Sequence, residues 1–436
     1  MVLFYDTFPR RPRMAVACFL ARVKREPFAD LPIAEHLDQA MRDQSLKWRD
    51  RLLPPLVTLK LFLLQVLHGN TSITHLRQLS GIAFAPASYC QARARLPLAV
   101  VASLLTRLVE WAREASAVHS EGVRLLGQRI LIVDCSNFSM SDSAALREHF
   151  HLPQGTRPGI GYPLATVMGL LDAATGLFVQ MLCTPLFLHD MGMVSRVHDA
   201  LKSGDILLGD RAYCSYVHFA LLNARGVLAC FRLHQRRKEQ GGRGIKRWRR
   251  PGQAPGWMSR EQWLTLPAWL DVRLVSFTVT HKGYRTRRVT IATTLLDERS
   301  WPDAKLAELY RQRWRIEGCF NHLKTTMKMN VLKCRSVEGV MKELAMYLLA
   351  YNLARLVMLR QAEQQRVSAG RISFIDALRW LACRMLGLAG IGRLLTNPSR
   401  PGRWEPRVIR RRSKPYDLLT RPRAELKHAV ESGTKC

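Results

Sequence analysis

The sequence predicts an α/β protein in which a mixed sheet is flanked by helices and preceded by a helical region. Three observations lead there. Two short apolar runs, Ile130 to Val133 and Ile206 to Gly209, each end in an acid, Asp134 and Asp210. Two further apolar stretches, Leu164 to Leu171 and Leu177 to Leu182, flank Asp172-Ala-Ala-Thr-Gly176 as the arms of a hairpin flank their turn. Helical segments then alternate with strands, the order that builds a mixed α/β sheet.

Taken in order, residues 1–120 read as a helical N-terminal domain. Pro54-Pro55 opens an apolar helix that ends near Gly69-Asn70, a second runs from Thr71 to Leu79, and Gly81 breaks the chain. Pro86 starts a third, which carries Arg93 and Arg95. Three short helices of this kind fit a helix-turn-helix bundle with its last helix against DNA. Helical hairpins with arginines on the wet face are also common without any such role.

Residues 121–234 supply the strand to Asp134, the hairpin, a helix over Met191 to Leu201, the strand to Asp210, a helix from Tyr216 to Asn223 and a strand from Val227 to Leu233. Acids at the carboxyl ends of strands stand where α/β folds place their chemistry. Residues 235–298 read as a β-rich insertion with a flexible basic leading loop. Arg232 to Arg250 contains nine Lys and Arg, Arg236, Arg237 and Arg247 among them, against one Glu. Trp257, Trp263 and Trp269 follow, then strands from Val272 to Thr280 and Arg288 to Leu295 that turn at His281-Lys-Gly-Tyr284. Residues 299–362 open with Ser300-Trp-Pro-Asp303, which has the form of a capping box, and predict one helix to Met327 and another over 337–361. Residues 363–436 give further helices and a basic tail, Arg400 to Lys414.

Charge narrows the partners. The 436 residues hold 67 Lys and Arg against 34 Asp and Glu, a formal net charge of +33. So basic a surface points to a polyanion, and nucleic acid is the commonest one. A hydrophobic share of 47% is enough to bury a core, which excludes disorder for most of the chain. No apolar run approaches the roughly 18 residues of a membrane span. The stretch from Met1 to Phe19 lacks the apolar segment and cleavage site of a secretory signal, so the expected location is cytoplasmic. The 10 cysteines show no CxxC pair and no zinc-ligand spacing, and read as free thiols, mostly small buried apolar residues.

On a helix advancing about 100 degrees per residue, Tyr310, Arg313, Glu317 and Lys324 share an arc of about 60 degrees. Leu309, Ile316, Phe320, Leu323 and Met327 fall on the neighbouring arc and would hold the helix to a core. Two strand-end aspartates and one helix-borne glutamate are a set suited to two hard cations, as in phosphodiester chemistry by two metals. The rival reading makes Asp134 and Asp210 turn residues and Glu317 the helical partner of Arg313.

The spacing Tyr310-x-x-Arg313-x-x-x-Glu317, followed by Lys324, resembles the YREK signature of DDE transposases of bacterial insertion sequences, in the group named after insertion sequence four. Ile132-Val-Asp134, Gly209-Asp-Arg-Ala-Tyr213 and the long β-rich insertion before the glutamate match in order, so the resemblance covers roughly residues 130–360. It implies an RNase H-like catalytic domain split by the insertion, with Asp134, Asp210 and Glu317 as ligands of two Mg²⁺ ions, Mn²⁺ being an alternative. Tyr310, Arg313 and Lys324 would contact phosphates at the cut end, and one insertion tryptophan would stack on a displaced base. Cys135 stands where the family often has glycine.

The implied function is recognition of terminal inverted repeats, Mg²⁺-dependent cleavage with hairpin ends, and strand transfer to target DNA by a homodimer. The implied location is the bacterial nucleoid. The rivals are a nuclease of the same fold without strand transfer and a non-catalytic DNA-binding protein derived from a transposase.

Overall fold

In a computed structural model of the chain, the described residues are 33–46, 52–117, 127–153, 160–186, 190–237, 239, 241–279, 288–386, 393–398 and 421–433. The expected turn at His281 to Tyr284 and the basic tail lie outside them. The chain divides into two units, one made of residues 1–112, 326–328 and 341–398, the other of 113–325, 329–340 and 399–436.

The first unit is helical. Helices α1 (Ile33–Asp43), α2 (Pro55–Leu67), α3 (Ile73–Ser80), α4 (Pro86–Arg95) and α5 (Leu98–Ala117) come first in the sequence. The greater part of α2 is buried, including Val57, Leu59, Leu61 and Leu64, and Pro55 at its first position has no backbone N–H to leave unpaired. Ser72 caps α3 by accepting from the His75 N–H, and Gly81 ends it. The buried Lys342 donates to the carbonyls of Arg93 and Ala94 at 3.2 and 2.8 Å, closing the C-terminus of α4 with a cation.

The second unit carries a nine-stranded mixed sheet among the described residues. Its strands are β1 (Ile130–Met140), β2 (Leu164–Asp172), β3 (Phe178–Pro185), β4 (Ile206–Gly209), β5 (Leu228–Arg232), β6 (Gly244–Arg249), β7 (Trp269–Thr278), β8 (Arg288–Thr293) and β9 (Val331–Leu332). The order is β3-β2-β1-β4-β5-β8-β7-β6, with β9 beside β1. Strands β1, β4 and β5 are parallel, whereas β2 and β3 form the antiparallel hairpin read from the sequence. Every residue of β2 is buried, as expected of a strand covered on both faces.

Three expectations are corrected here. The leading part of the insertion is not all flexible loop, because Gly244 to Arg249 pairs with β7 as β6. The ladder to β7 is anchored by Trp248, which is buried in the core while Ile245, Lys246, Arg247 and Arg249 stay exposed. The insertion strands also join the main sheet, since β8 pairs with β5, and Trp248 meets Phe219 of the helix Tyr216–Ala224 edge-on at 5.6 Å. Burial of one such aromatic contributes roughly 1.5–3 kcal/mol.

The second correction concerns the long helix. It begins at Asp303 with Pro302 before it, and the Ser300 N–H instead bonds to Asp297, so the capping box does not form. Nor is it uniform: α-helix over Asp303–Arg311 gives way to a 3₁₀ turn at Gln312–Trp314, α-helix over Arg315–Asn321, and a π turn at His322–Thr326. Of the eight cysteines described, Cys214 and Cys230 alone are fully buried, and Cys90 is exposed, so the thiols are less buried than the sequence suggested.

Candidate active site

The site is assembled from β1, the turn after β4 and the segmented helix. Ile132 of β1 stands opposite Leu208 of β4 in parallel register, so each strand reaches its acid two residues later, at the same end of the sheet. The Asp134 side chain is 21% exposed. Its Oδ1 accepts from the Cys135 N–H at 2.8 Å. Burial pushes its carboxyl up to about 6; the Cys135 N–H and Arg313 oppose that, and the charges of Asp210 and Glu317 add to it.

Asp210 caps a 3₁₀ turn, Arg211–Tyr213, by accepting from the Ala212 N–H at 2.7 Å. Beneath that turn a chain of side chains ties the two acid-bearing strands together. The Tyr213 hydroxyl donates to the Cys135 sulfur at 3.2 Å. His218 Nδ1 lies 2.9 Å from the Tyr213 carbonyl, and its Nε2 lies 3.0 Å from Nε2 of His198. A carbonyl only accepts, so Nδ1 of His218 carries the proton and His198 donates to the other nitrogen. Burial holds His218 down to about 3 and His198 down to about 4, which keeps both neutral. Gly209 makes room for this arrangement: a Cβ there would lie 2.9 Å from the Tyr213 ring and 3.1 Å from Phe231.

Glu317 lies on the α-helical part that follows the 3₁₀ turn, and its side chain is 54% exposed. Arg313, on the 3₁₀ turn itself, is buried. Its Nη2 donates to Glu317 Oε1 at 2.7 Å, and its Nη1 stands 3.7 Å from Asp134 Oδ2. One guanidinium therefore bridges two of the three predicted acids. Its Nε is buried without a hydrogen-bond partner.

The remaining expected residues are placed as follows. Tyr310 is 1% exposed, edge-on to Trp314 at 5.8 Å, and burial raises its phenol. Lys324 is half-buried on the π turn with Nζ 4.8 Å from the centroid of the Phe138 ring on β1, and desolvation lowers its ammonium. In the helical unit, Arg93 folds over the Phe62 ring at 3.6 Å, whereas Arg95 is exposed. Arg236 is exposed, Arg247 is exposed beside Asp271 at 3.5 Å, and Arg237 lies 3.4 Å over the Trp248 ring. Among the tryptophans of the insertion, Trp263 is buried, while Trp257 and Trp269 are 37% and 49% exposed.

The sequence reading counted Arg232 only within the basic cluster and not beside the acids. It ends β5, the third parallel strand, and Gly209 opposite Phe231 puts it level with Asp210. Burial lowers its guanidinium first, and the neighbouring Arg211 and Arg313 add to this, while Tyr310 and Asp210 oppose it. The strand-end rule that picked out the two aspartates extends to this position.

Chemically, three carboxylates offer hard oxygen donors suited to Mg²⁺ or Mn²⁺. A cation already sits between two of them, the Arg313 guanidinium, so the donor set fits a positive guest. Among the described residues, however, no group of three or more His, Cys, Asp or Glu stands close enough to hold a metal ion. No described helix is long and apolar enough to cross a membrane.

Residues 126–353 match a family profile described as Transposase DDE domain. The chain is 32% identical over 184 residues to transposase InsG for insertion sequence element IS4 of Escherichia coli (strain K12). That alignment covers 38% of this chain and 40% of the relative, less than half of either. A solved piggyBac transposase synaptic complex with hairpin DNA aligns with a TM-score of 0.43 at 10% identity, over 86% of this chain and 81% of the other.

Proposed function

Because the chain belongs to the family of DDE-domain transposases, matched over residues 126–353, we propose that it binds the terminal inverted repeats of an insertion sequence and catalyses Mg²⁺-dependent strand cleavage and strand transfer. The observation that carries this reading is the meeting of Asp134, Arg313 and Glu317, with Asp210 on the adjoining strand end. The order β3-β2-β1-β4-β5 supports an RNase H-like core, with β6 to β8 as the insertion that precedes Glu317.

In this reading Asp134, Asp210 and Glu317 hold two Mg²⁺ ions, or Mn²⁺. Such ions, when bound, activate the attacking water or 3′-hydroxyl and stabilise the leaving oxygen. The protein's own residues do the rest. Arg313, Arg232 and Lys324 neutralise the phosphates drawn up to three carboxylates that would otherwise repel them. The buried Tyr310 contributes by packing against Trp314 beside Arg313. The tie from Tyr213 to Cys135 fixes the spacing of the two strand-end acids. Residues 1–120 act as the DNA-binding domain, 121–234 and 299–362 as the catalytic core, and 363–436 as helices and basic tail. A homodimer pairs two ends before cutting, and the ends pass through hairpins.

The test is Glu317→Gln on DNA carrying the ends of the chain's own element. Cleavage in Mg²⁺ should be lost while end binding in a gel-shift assay survives. Cleavage that persists would remove Glu317 from the site. Joined products on the wild-type gel separate a transposase from a nuclease, which yields cut products alone.

A further inference from the structure

The Arg313 guanidinium stands between two of the three acids read as metal ligands. It touches Glu317 at 2.7 Å and stands 3.7 Å from Asp134. It is buried, whereas the Glu317 side chain is 54% exposed and so has room to swing. Among the described residues, the acids do not stand as a group of three that could hold a metal ion. An arginine cannot leave by giving up its proton, since its charge is permanent at any working pH. Taking the carboxylates from it without a substitute would strand a buried, uncompensated cation, which is strongly unfavourable. It can be released only to another anion. The planar fork of a guanidinium fits a phosphodiester as well as a carboxylate. Arg232 and Arg211 crowd the same region with positive charge, which favours the arrival of such an anion.

We propose that Arg313 is a resident counter-ion that keeps the acids from binding metal until a DNA phosphate draws its guanidinium away, so that DNA binding must come before metal loading. This rests on the reading of Asp134, Asp210 and Glu317 as the metal ligands. The alternative is an ordinary helical Arg–Glu pair of small energetic weight, which would leave metal affinity alone. Linkage makes the two readings separable: if DNA raises metal affinity by some factor, metal raises DNA affinity by the same factor.

The experiment measures Mn²⁺ binding to the full chain by electron paramagnetic resonance, with and without a mixed-sequence DNA duplex. The variants are Arg313→Gln, Arg313→Lys and Asp134→Asn. Wild type should bind Mn²⁺ about tenfold more tightly with DNA than without, equivalent to about 1.4 kcal/mol. Arg313→Gln should bind it about tenfold more tightly than wild type when DNA is absent, and should gain little from DNA. If Arg313→Gln does not fold, Arg313→Lys carries the same expectation in smaller measure, because one ammonium cannot bridge both carboxylates. Unchanged or weaker Mn²⁺ binding in the folded Arg313 variant, alongside binding lost in Asp134→Asn, overturns the counter-ion role alone. Unchanged Mn²⁺ binding in Asp134→Asn overturns the metal-ligand reading, and the counter-ion role with it.

Discussion

Asp134 shows how much a single side chain can weigh on the molecule that holds it. Its carboxyl is pushed from 3.8 to about 6, mainly by burial, so the folded chain prefers it protonated. A raised carboxyl contributes stability that is complete below its unfolded value of 3.8 and is lost as the pH rises through about 6. Without metal, Asp134→Asn should therefore be more stable than wild type at neutral pH, by on the order of 2–3 kcal/mol. The two should converge near pH 4. The buried His198 and His218 act in the opposite direction, their stabilisation being lost as the pH falls from about 6.5 towards about 4 and about 3. The difference between variant and wild type, measured by urea denaturation in EDTA from acid to neutral pH, removes that common slope. A difference that does not change with pH would mean Asp134 is not desolvated. At this scale the sequence was informative where an apolar run ended in an acid, as at Asp134 and Asp210. Glu317 stood out only through its spacing from Tyr310 and Arg313. Arg232 was read only as the start of a basic stretch because a basic strand end was not counted as chemistry, although the same register rule applies to it.

Elements decide where those side chains point. A helix of constant rotation would put Tyr310, Arg313, Glu317 and Lys324 on one stripe. A 3₁₀ turn advances about 120 degrees per residue, and the turn at Gln312–Trp314 breaks the stripe. Tyr310, in the α-helix before the turn, is buried with Leu306 and Leu309, whereas the Glu317 side chain after it is half exposed. No side-chain pattern announces a 3₁₀ or π turn, which is why the spacing of the motif was legible and its geometry was not. The strand at Gly244 to Arg249 was not legible, because its two large apolar residues, Ile245 and Trp248, fall on opposite faces and the surrounding arginines and glycines read as loop. Docking of the helix against the sheet depends on Gly169, the residue of β2 paired with Asp134. A Cβ there would stand 2.6 Å from the Phe178 ring and 3.1 Å from Phe320, one turn beyond Glu317. Gly169→Ala should therefore push that helix outward, costing roughly 1–3 kcal/mol of stability. Cleavage should fall further than the loss of folded protein explains. A melting curve and an activity assay on the same preparation check this; normal activity per folded molecule would show that Phe320 yields without moving Glu317.

For the whole molecule, the net charge of +33 gains an address only in part. Arg236, Arg247 and Arg249 are exposed on or near the outermost strand, β6. Arg237 is held over Trp248 and serves the core. Each phosphate contact contributes about 0.9 to the slope of log affinity against log salt concentration. Replacing Arg236, Arg247 and Arg249 with glutamine should flatten that slope by about 2–3, measured by fluorescence anisotropy over a salt series. An unchanged slope would make β6 a solvated edge. The insertion was legible as a stretch of sequence, but its fusion with the main sheet through β5 and β8 was not, because pairing between distant strands leaves no local trace. The same holds for β9, which closes on β1 at Ser139 and Met140. This last pairing gives the chain a timetable. A ribosome delivers Asp134 and Asp210 early, but the glutamate and the strand that completes the edge of β1 emerge only after the whole insertion has been made. An interrupted chain thus holds two acids without the third, and under the proposed function cleavage must wait until synthesis has passed Leu332. For a protein whose proposed substrate is DNA, that order of manufacture keeps unfinished copies harmless.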